Sequence, residues 1–219
     1  MEGKNAGFKN VRHLNKYRWV KPMTVIVGII CKDGIVFGSD SQGMTNRGVD
    51  VKRLNTTKIF VLNGDLRVKA LVGGAGEVPF IIKAIENARE TAKNKGADDV
   101  SSLVDVVEDV MTGLAKRYIV DKMKEFSKAQ PPREMLSAQS EDGLPKVPAW
   151  LMIGGRDKQK KHAIYVVHPE GVGEKEEGFG TLGSGSAYAE YLLSQFYDAN
   201  IDCEQGKLLV AFVIEEVKK

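Results

Sequence analysis

The distribution of apolar and polar positions divides the chain into blocks of period two and blocks of helical period. Thr24 to Cys31 is a β-branched and apolar run, Lys32-Asp33-Gly34 is a tight-turn signal, and Ile35 to Gly38 returns as a second strand. Asp40 lies just past the end of that strand. In an antiparallel pair turning at Asp33-Gly34, this carboxylate comes back beside Thr24. Ser41 to Thr56 is polar, with Gly43, Asn46, Gly48 and Asn55, and reads as a loop. Thr57 to Leu62 and Leu66 to Gly73 read as a second hairpin across Asn63-Gly64-Asp65, and the four strands as one sheet or the start of one.

After Gly73-Gly74-Ala75-Gly76, a Gly-rich bend, the period changes. Phe80, Ile81, Ala84, Ile85 and Ala88 follow helical spacing, and Asp98 to Phe126 repeats it through Val100, Leu103, Val104, Val107, Val110 and Met111. Ser127 to Pro148, with four prolines, reads as a long loop. Strands resume at Trp150 to Gly154 and His162 to Val167, joined by a charged turn, and Glu177 to Leu182 is a further short strand. Gly183 to Ser186 is a tight turn, followed by helices over Ala187 to Tyr197 and Glu204 to Val217. Strands and helices in segregated blocks predict an α+β fold: two sheets face to face with a helix pair on each outer side, a four-layer αββα sandwich.

Composition narrows the function. The chain has 219 residues, 42% hydrophobic and 28% charged, enough for one domain with a sizeable core. No apolar run reaches the roughly 18 to 20 residues of a membrane span, so no membrane partner is expected and a cytoplasmic location is the default. Residues 1 to 22 carry six basic residues against Glu2, a local charge of +5 that leaves −2 for the rest. Basic charge is not spread over the fold, so no nucleic-acid partner is expected. That segment has no clean period and ends in Pro22, and reads as a leader, an arm or a removable piece. Cys31 and Cys203, and His162 and His168, lack metal-ligand spacing, so no metal or cofactor is expected and the cysteines read as reduced, partly buried thiols.

The segments TVIVGIICKDGIVFGSD, TTKIF, ALVGGAGE, MIGGRD with YVVHPEG, and GTLGSGSAYAEYLL, in this order, resemble the proteasome β-type subunits and their bacterial two-ring relatives among the N-terminal-nucleophile hydrolases. The resemblance implies that Thr24 is the nucleophile, Asp40 its supporting acid and Lys58 the lysine beneath it. It further implies that Gly73 supplies the backbone N–H for the oxyanion and that Ser184 lies near the amine. Substrate, a peptide or polypeptide, would lie as an added strand near Gly73 and Ala75, with Leu71 near the floor of the first specificity pocket. A homo-oligomeric ring, or one shared with proteasome-type partner subunits, is expected on the same ground.

The chemistry stands on its own terms. A threonine hydroxyl needs a base to become a nucleophile. An α-amine, with a pKa of about 7.7 to 8.0, is partly neutral near neutral pH and can be that base, and a nearby ammonium favours its neutral form. Taken singly, Thr24 is also a strand former, Asp40 a turn residue, Lys58 a solvated lysine and Ser184 a helix cap.

The pattern also departs from the family. Thr24 follows Pro22-Met23 rather than a glycine, the stretches after Asp40 and before Pro148 run long, and the chain stops at Lys219 where the family continues with an Asp and a Ser near the nucleophile. The expected division is therefore residues 1–23 as leader, propeptide or mis-assigned upstream segment, and 24–219 as the domain, with a C-terminal part missing or absent. The expected function is a threonine peptidase working through an acyl-enzyme. The alternatives are a silent structural subunit, whose Thr24 stays internal, and a relative performing transpeptidation, ligation or small-amide hydrolysis.

Overall fold

The computed structural model describes residues 24–47, 50–64, 66–128 and 149–219. The first hairpin is β1 (Ile26–Cys31) and β2 (Gly34–Ser39), paired antiparallel from Ile26↔Ser39 to Cys31↔Gly34. β10 (Phe179–Leu182) pairs with the other edge of β1, so this sheet has the order β10-β1-β2. The second sheet has five antiparallel strands: β5 (Ile59–Leu62), β6 (Ala70–Gly76), β7 (Ala149–Arg156), β8 (His162–Val167) and β9 (Gly173–Glu176), in that spatial order.

The layers follow from which face of each strand is apolar. Ile26, Ala75, Met152, Ile164, Val166 and Leu182 meet between the sheets, with Phe37 and Ile35 packed against them. The outer face of the larger sheet is covered by α1 (Val78–Lys95) and α2 (Val100–Lys128). In α1 the buried residues Ile81, Ala84, Ile85, Ala88 and Ala92 form the predicted stripe, and Gly96 ends the helix in the left-handed region with its N–H on the carbonyls of Ala92 and Lys93. Asp99 starts α2, its Oδ1 accepting from the N–H groups of Ser101 and Ser102. The smaller sheet is covered by α3 (Ser186–Phe196) and α4 (Cys203–Val217). Asp202 and Gln205 form a capping box at the start of α4. The αββα sandwich predicted from the blocks is the observed fold.

Four local expectations are corrected. Ser41 to Thr56 is not a loop: β3 (Gln42–Arg47) and β4 (Asp50–Asn55) pair from Gln42↔Asn55 to Arg47↔Asp50, closed by the Thr56 N–H on the Ser41 carbonyl. Such a ribbon is held by main-chain bonds that leave no hydrophobic period to read. The hairpins do not share a sheet, and the second has a connection of residues 63–69, because Leu66 and Val68 are buried in the core as irregular chain rather than as strand. Gly73 to Gly76 is no bend but the end of β6. The short strand expected over Glu177 to Leu182 is β10, and β9 before it was not expected from the sequence. Residues 129–148, most of the expected long loop, and residues 1–23 lie outside the described residues.

Among the described residues, no helix is long and apolar enough to cross a membrane, and no cluster of three or more His, Cys, Asp or Glu side chains has metal-site geometry. Cys31 is buried, Cys203 half-buried, and both are free thiols. Burial and the neighbouring Asp33 push the Cys203 thiol up to about 12.

Candidate active site

The hairpin geometry puts Val25 opposite Asp40, one step beyond the Ile26↔Ser39 pair. The Asp40 N–H donates to the Val25 carbonyl at 3.1 Å, and Asp40 Oδ1 accepts from the Val25 N–H at 2.8 Å. Oδ2 accepts from the Gln42 N–H at 2.9 Å. Asp40 is 2% exposed, so these donors are what hold its carboxylate in place of water.

Lys58 enters from the other sheet, at the residue before β5, and is 7% exposed. Its Nζ donates to Asp40 Oδ1 at 2.7 Å and to Thr24 Oγ1 at 3.3 Å. An ammonium this buried is tolerable only with a carboxylate in contact. Its second bond fixes the threonine hydroxyl.

Thr24 is also held from the turn between β10 and α3. Its N–H donates to Ser184 Oγ at 3.0 Å, and its carbonyl accepts from the Gly185 N–H at 3.0 Å. Gly183 has φ +99°, and a Cβ there would meet the Thr24 carbonyl closer than side chains come, so glycine is required on both grounds. Thr24, Asp40, Lys58 and Ser184, far apart in sequence, are therefore brought to one point.

Two cavities meet at Thr24. The smaller, about 70 Å³, is bounded by Lys58, Phe60, Gly74, Val78, Ile81 and Ile82. The larger, about 750 Å³, runs between β10 and α3 on one side and β7, β8 and β9 on the other. Ala75, expected beside the substrate, lines both cavities.

Gly73 and Leu71 are placed otherwise. The Gly74 N–H donates to the Lys58 carbonyl at 2.9 Å. Alternation along an antiparallel strand then aims the amides of Gly73 and Ala75 at β7, where they face Met152 and Trp150. By the same alternation the Gly76 amide faces the β5 side, beyond the end of that strand, and Gly76 lines both cavities. Gly76 was not among the residues expected at the site, since only the register of β5 on β6 sets which amides face that side. Leu71 pairs with Val61 and lines a third cavity with Ile35 and Arg67, about 13 Å along β6 from Ala75.

Known proteins agree with this architecture. The family described as proteasome subunit matches residues 134–219. Over 202 residues the chain is 28% identical to proteasome subunit beta 1 of Thermococcus kodakarensis, covering 90% of this chain and 81% of that protein. It is 26% identical over 199 residues to proteasome subunit beta 2 of Pyrococcus abyssi, covering 90% and 80%. The chain is similar to proteasome β subunits over most of its length. Two solved structures share its fold. They are an Anbu (Gly-1) mutant from Hyphomicrobium sp. strain MC1 (TM-score 0.65, 16% identity, 88% of this chain and 73% of that one) and the helical assembly of the Anbu complex from Pseudomonas aeruginosa (TM-score 0.64, 19%, 87% and 73%). Within this proteasome-like fold, Thr24 stands where the two cavities meet, with Lys58 on the wall of the smaller, Ser184 on the wall of the larger and Asp40 buried behind them.

Proposed function

We propose that this proteasome β-like chain is a threonine peptidase whose nucleophile is Thr24 Oγ1. The observation that carries the reading is Lys58 Nζ, buried and bridging Asp40 Oδ1 at 2.7 Å and Thr24 Oγ1 at 3.3 Å. In the intact chain Thr24 N belongs to a peptide bond and is no base. The reading therefore includes removal of residues 1–23, leaving 24–219 as the working domain.

The freed amine, hydrogen-bonded to Ser184, takes the Oγ1 proton as Oγ1 bonds to the substrate carbonyl carbon. The Lys58 ammonium favours the neutral amine and stabilises the oxygen as its proton leaves. Asp40 holds that ammonium. In this reading the Gly76 amide, in a residue that lines both cavities with Thr24, meets the oxyanion, a contact whose loss costs about 2.7–4 kcal/mol in comparable sites. The C–N bond then breaks, the amine returns its proton to the leaving nitrogen, and water hydrolyses the resulting ester by the same route. The relatives carry proteasome subunit names and a solved neighbour is a helical assembly. An oligomer of this chain, in a ring or with proteasome-type partners, belongs to the proposal, as does a cytoplasmic location.

Intact mass and a covalent trap test it. A species beginning at Thr24, labelled on that residue by a peptide epoxyketone, supports the peptidase, and Thr24→Ala should lower turnover more than 1,000-fold without changing oligomer size, an effect on the order expected for an essential nucleophile. A chain that retains residues 1–23 in every preparation and resists the label is a silent subunit.

A further inference from the structure

The cavities on the two sides of Thr24 differ in charge. The small one is walled by Phe60, Val78, Ile81 and Ile82 with Lys58 at its end. The large one is entered by Glu174 and Glu176 of β9, Glu190 of α3 and His168, and among the described residues no lysine or arginine lines it. Lys175, between the two glutamates in sequence, points to the opposite face of β9, over the Tyr165 ring and toward Asp157.

The three carboxylates are unequally satisfied. Glu190 Oε1 accepts from Thr181 Oγ1 at 2.8 Å, and Glu174 Oε2 lies 3.4 Å from His168 Nε2. Among the described residues, no hydrogen bond or ion pair engages Glu176, which is half-buried. Burial first, and then the charges of Glu174 and Glu190, raise its carboxyl above the usual range. A cation placed here removes that repulsion.

The site itself says which half of a substrate reaches this cavity. The proposed base is the nitrogen of Thr24, which must hand its proton to the leaving nitrogen. That nitrogen is bonded to Ser184, which lines the large cavity and not the small one, whereas Lys58 lines the small one and not the large one. The leaving half therefore departs on the Ser184 side, into a space whose volume suits several residues.

We infer that the carboxylate-lined cavity is the leaving-group subsite and that it selects peptides carrying lysine or arginine in the first residues after the cleaved bond. The inference rests on the reading of Thr24 only for which half is held. The cavity's preference for a cation stands apart from turnover.

The test uses paired fluorescent peptides, identical except for lysine or norleucine just after the scissile bond, with binding read by anisotropy and cleavage by mass spectrometry on the purified full protein. At low salt the lysine peptide should bind about tenfold tighter, with the ratio falling severalfold in 0.5 M salt. In Glu176→Gln/Glu190→Gln the ratio should drop to within about twofold, since charge attraction sets it. Equal binding of the two peptides by the wild-type protein overturns the inference, even if both are cleaved, in which case the peptidase reading stands. A lysine preference without cleavage supports the cavity's selection of a cation and overturns both the peptidase reading and the assignment of the cavity to a leaving group. Should the double variant fail to fold, the salt dependence of the wild-type ratio decides: a preference that 0.5 M salt leaves unchanged overturns the inference.

Discussion

Two lysine–aspartate pairs of almost the same length lie in different parts of the molecule. Lys58–Asp40, at 2.7 Å, joins the two sheets beneath Thr24, with side chains 7% and 1% exposed. Lys95–Asp109, at 2.8 Å, joins α1 to α2 on the surface, with side chains 55% and 70% exposed. Distance does not distinguish them; solvent does. The surface pair exchanges one hydrated state for another, and such pairs contribute about 0–1 kcal/mol. The buried pair has no water to fall back on, so each partner is the condition for the other's charge.

The largest expected effect removes one half of the buried pair. Lys58→Met should abolish turnover and cost about 3–5 kcal/mol of stability by leaving the Asp40 charge buried without its counter-ion. Its check is the urea midpoint together with a peptide assay. Lys58→Met with Asp40→Leu should recover most of the stability and none of the activity. A double variant no more stable than the single one would break the comparison, because the cost would then not be the orphaned charge.

Next in size is Gly183→Ala, which forces a side chain into a left-handed residue against the Thr24 carbonyl. A cost of about 1–3 kcal/mol is expected, read as a fall in Tm with a matching loss of Thr24 labelling. A wild-type Tm would mean the turn yields more readily than its contacts suggest.

Smaller still is the pH dependence of Glu176. Its folded pKa is raised, so the folded state holds this proton more tightly than the unfolded state, and the ionised form works against the fold. The wild type loses stability from this group as pH rises from the unfolded carboxyl pKa, about 4.3, through the raised folded value. Glu176→Gln should therefore be the more stable protein at neutral pH, with the Tm difference shrinking on acidification below that range. The preference for basic peptides should fade through the same window.

The smallest effect is at the surface pair. Lys95→Ala should shift stability by at most about 1 kcal/mol, less in high salt, with unchanged peptide turnover.

What was legible in the sequence was local. The β1–β2 hairpin, the return of Asp40 beside Thr24 and the stripe of α1 each need only neighbours within a few turns of chain. The proximity of Lys58 and Ser184 was legible only through the family resemblance, since nothing in the spacing brings residues 58 and 184 to residue 24. Which amides of β6 face the Lys58 side was not legible. Gly73 and Gly76 differ by the parity of one strand on another, and the seven-residue connection before Ala70 sets that parity only in three dimensions. Leu71 was misplaced for the same reason. The acidic cavity draws on β9, α3 and the end of β8, so its charge appears in no window of sequence.

The clasp of Thr24 by Ser184 and Gly185 has a consequence for timing. Both bonds use atoms that survive cutting of the chain before Thr24, so the seat for the new end is built before the end exists. On the proposed reading, cleavage would ask for no rearrangement, only for the amide nitrogen to become an amine where it already lies. An unfolded chain cut at the same bond would have a free threonine and no lysine beside it. On the proposed reading, competence is thereby tied to completion of the fold, and a cut before Thr24 would switch on a site that already stands.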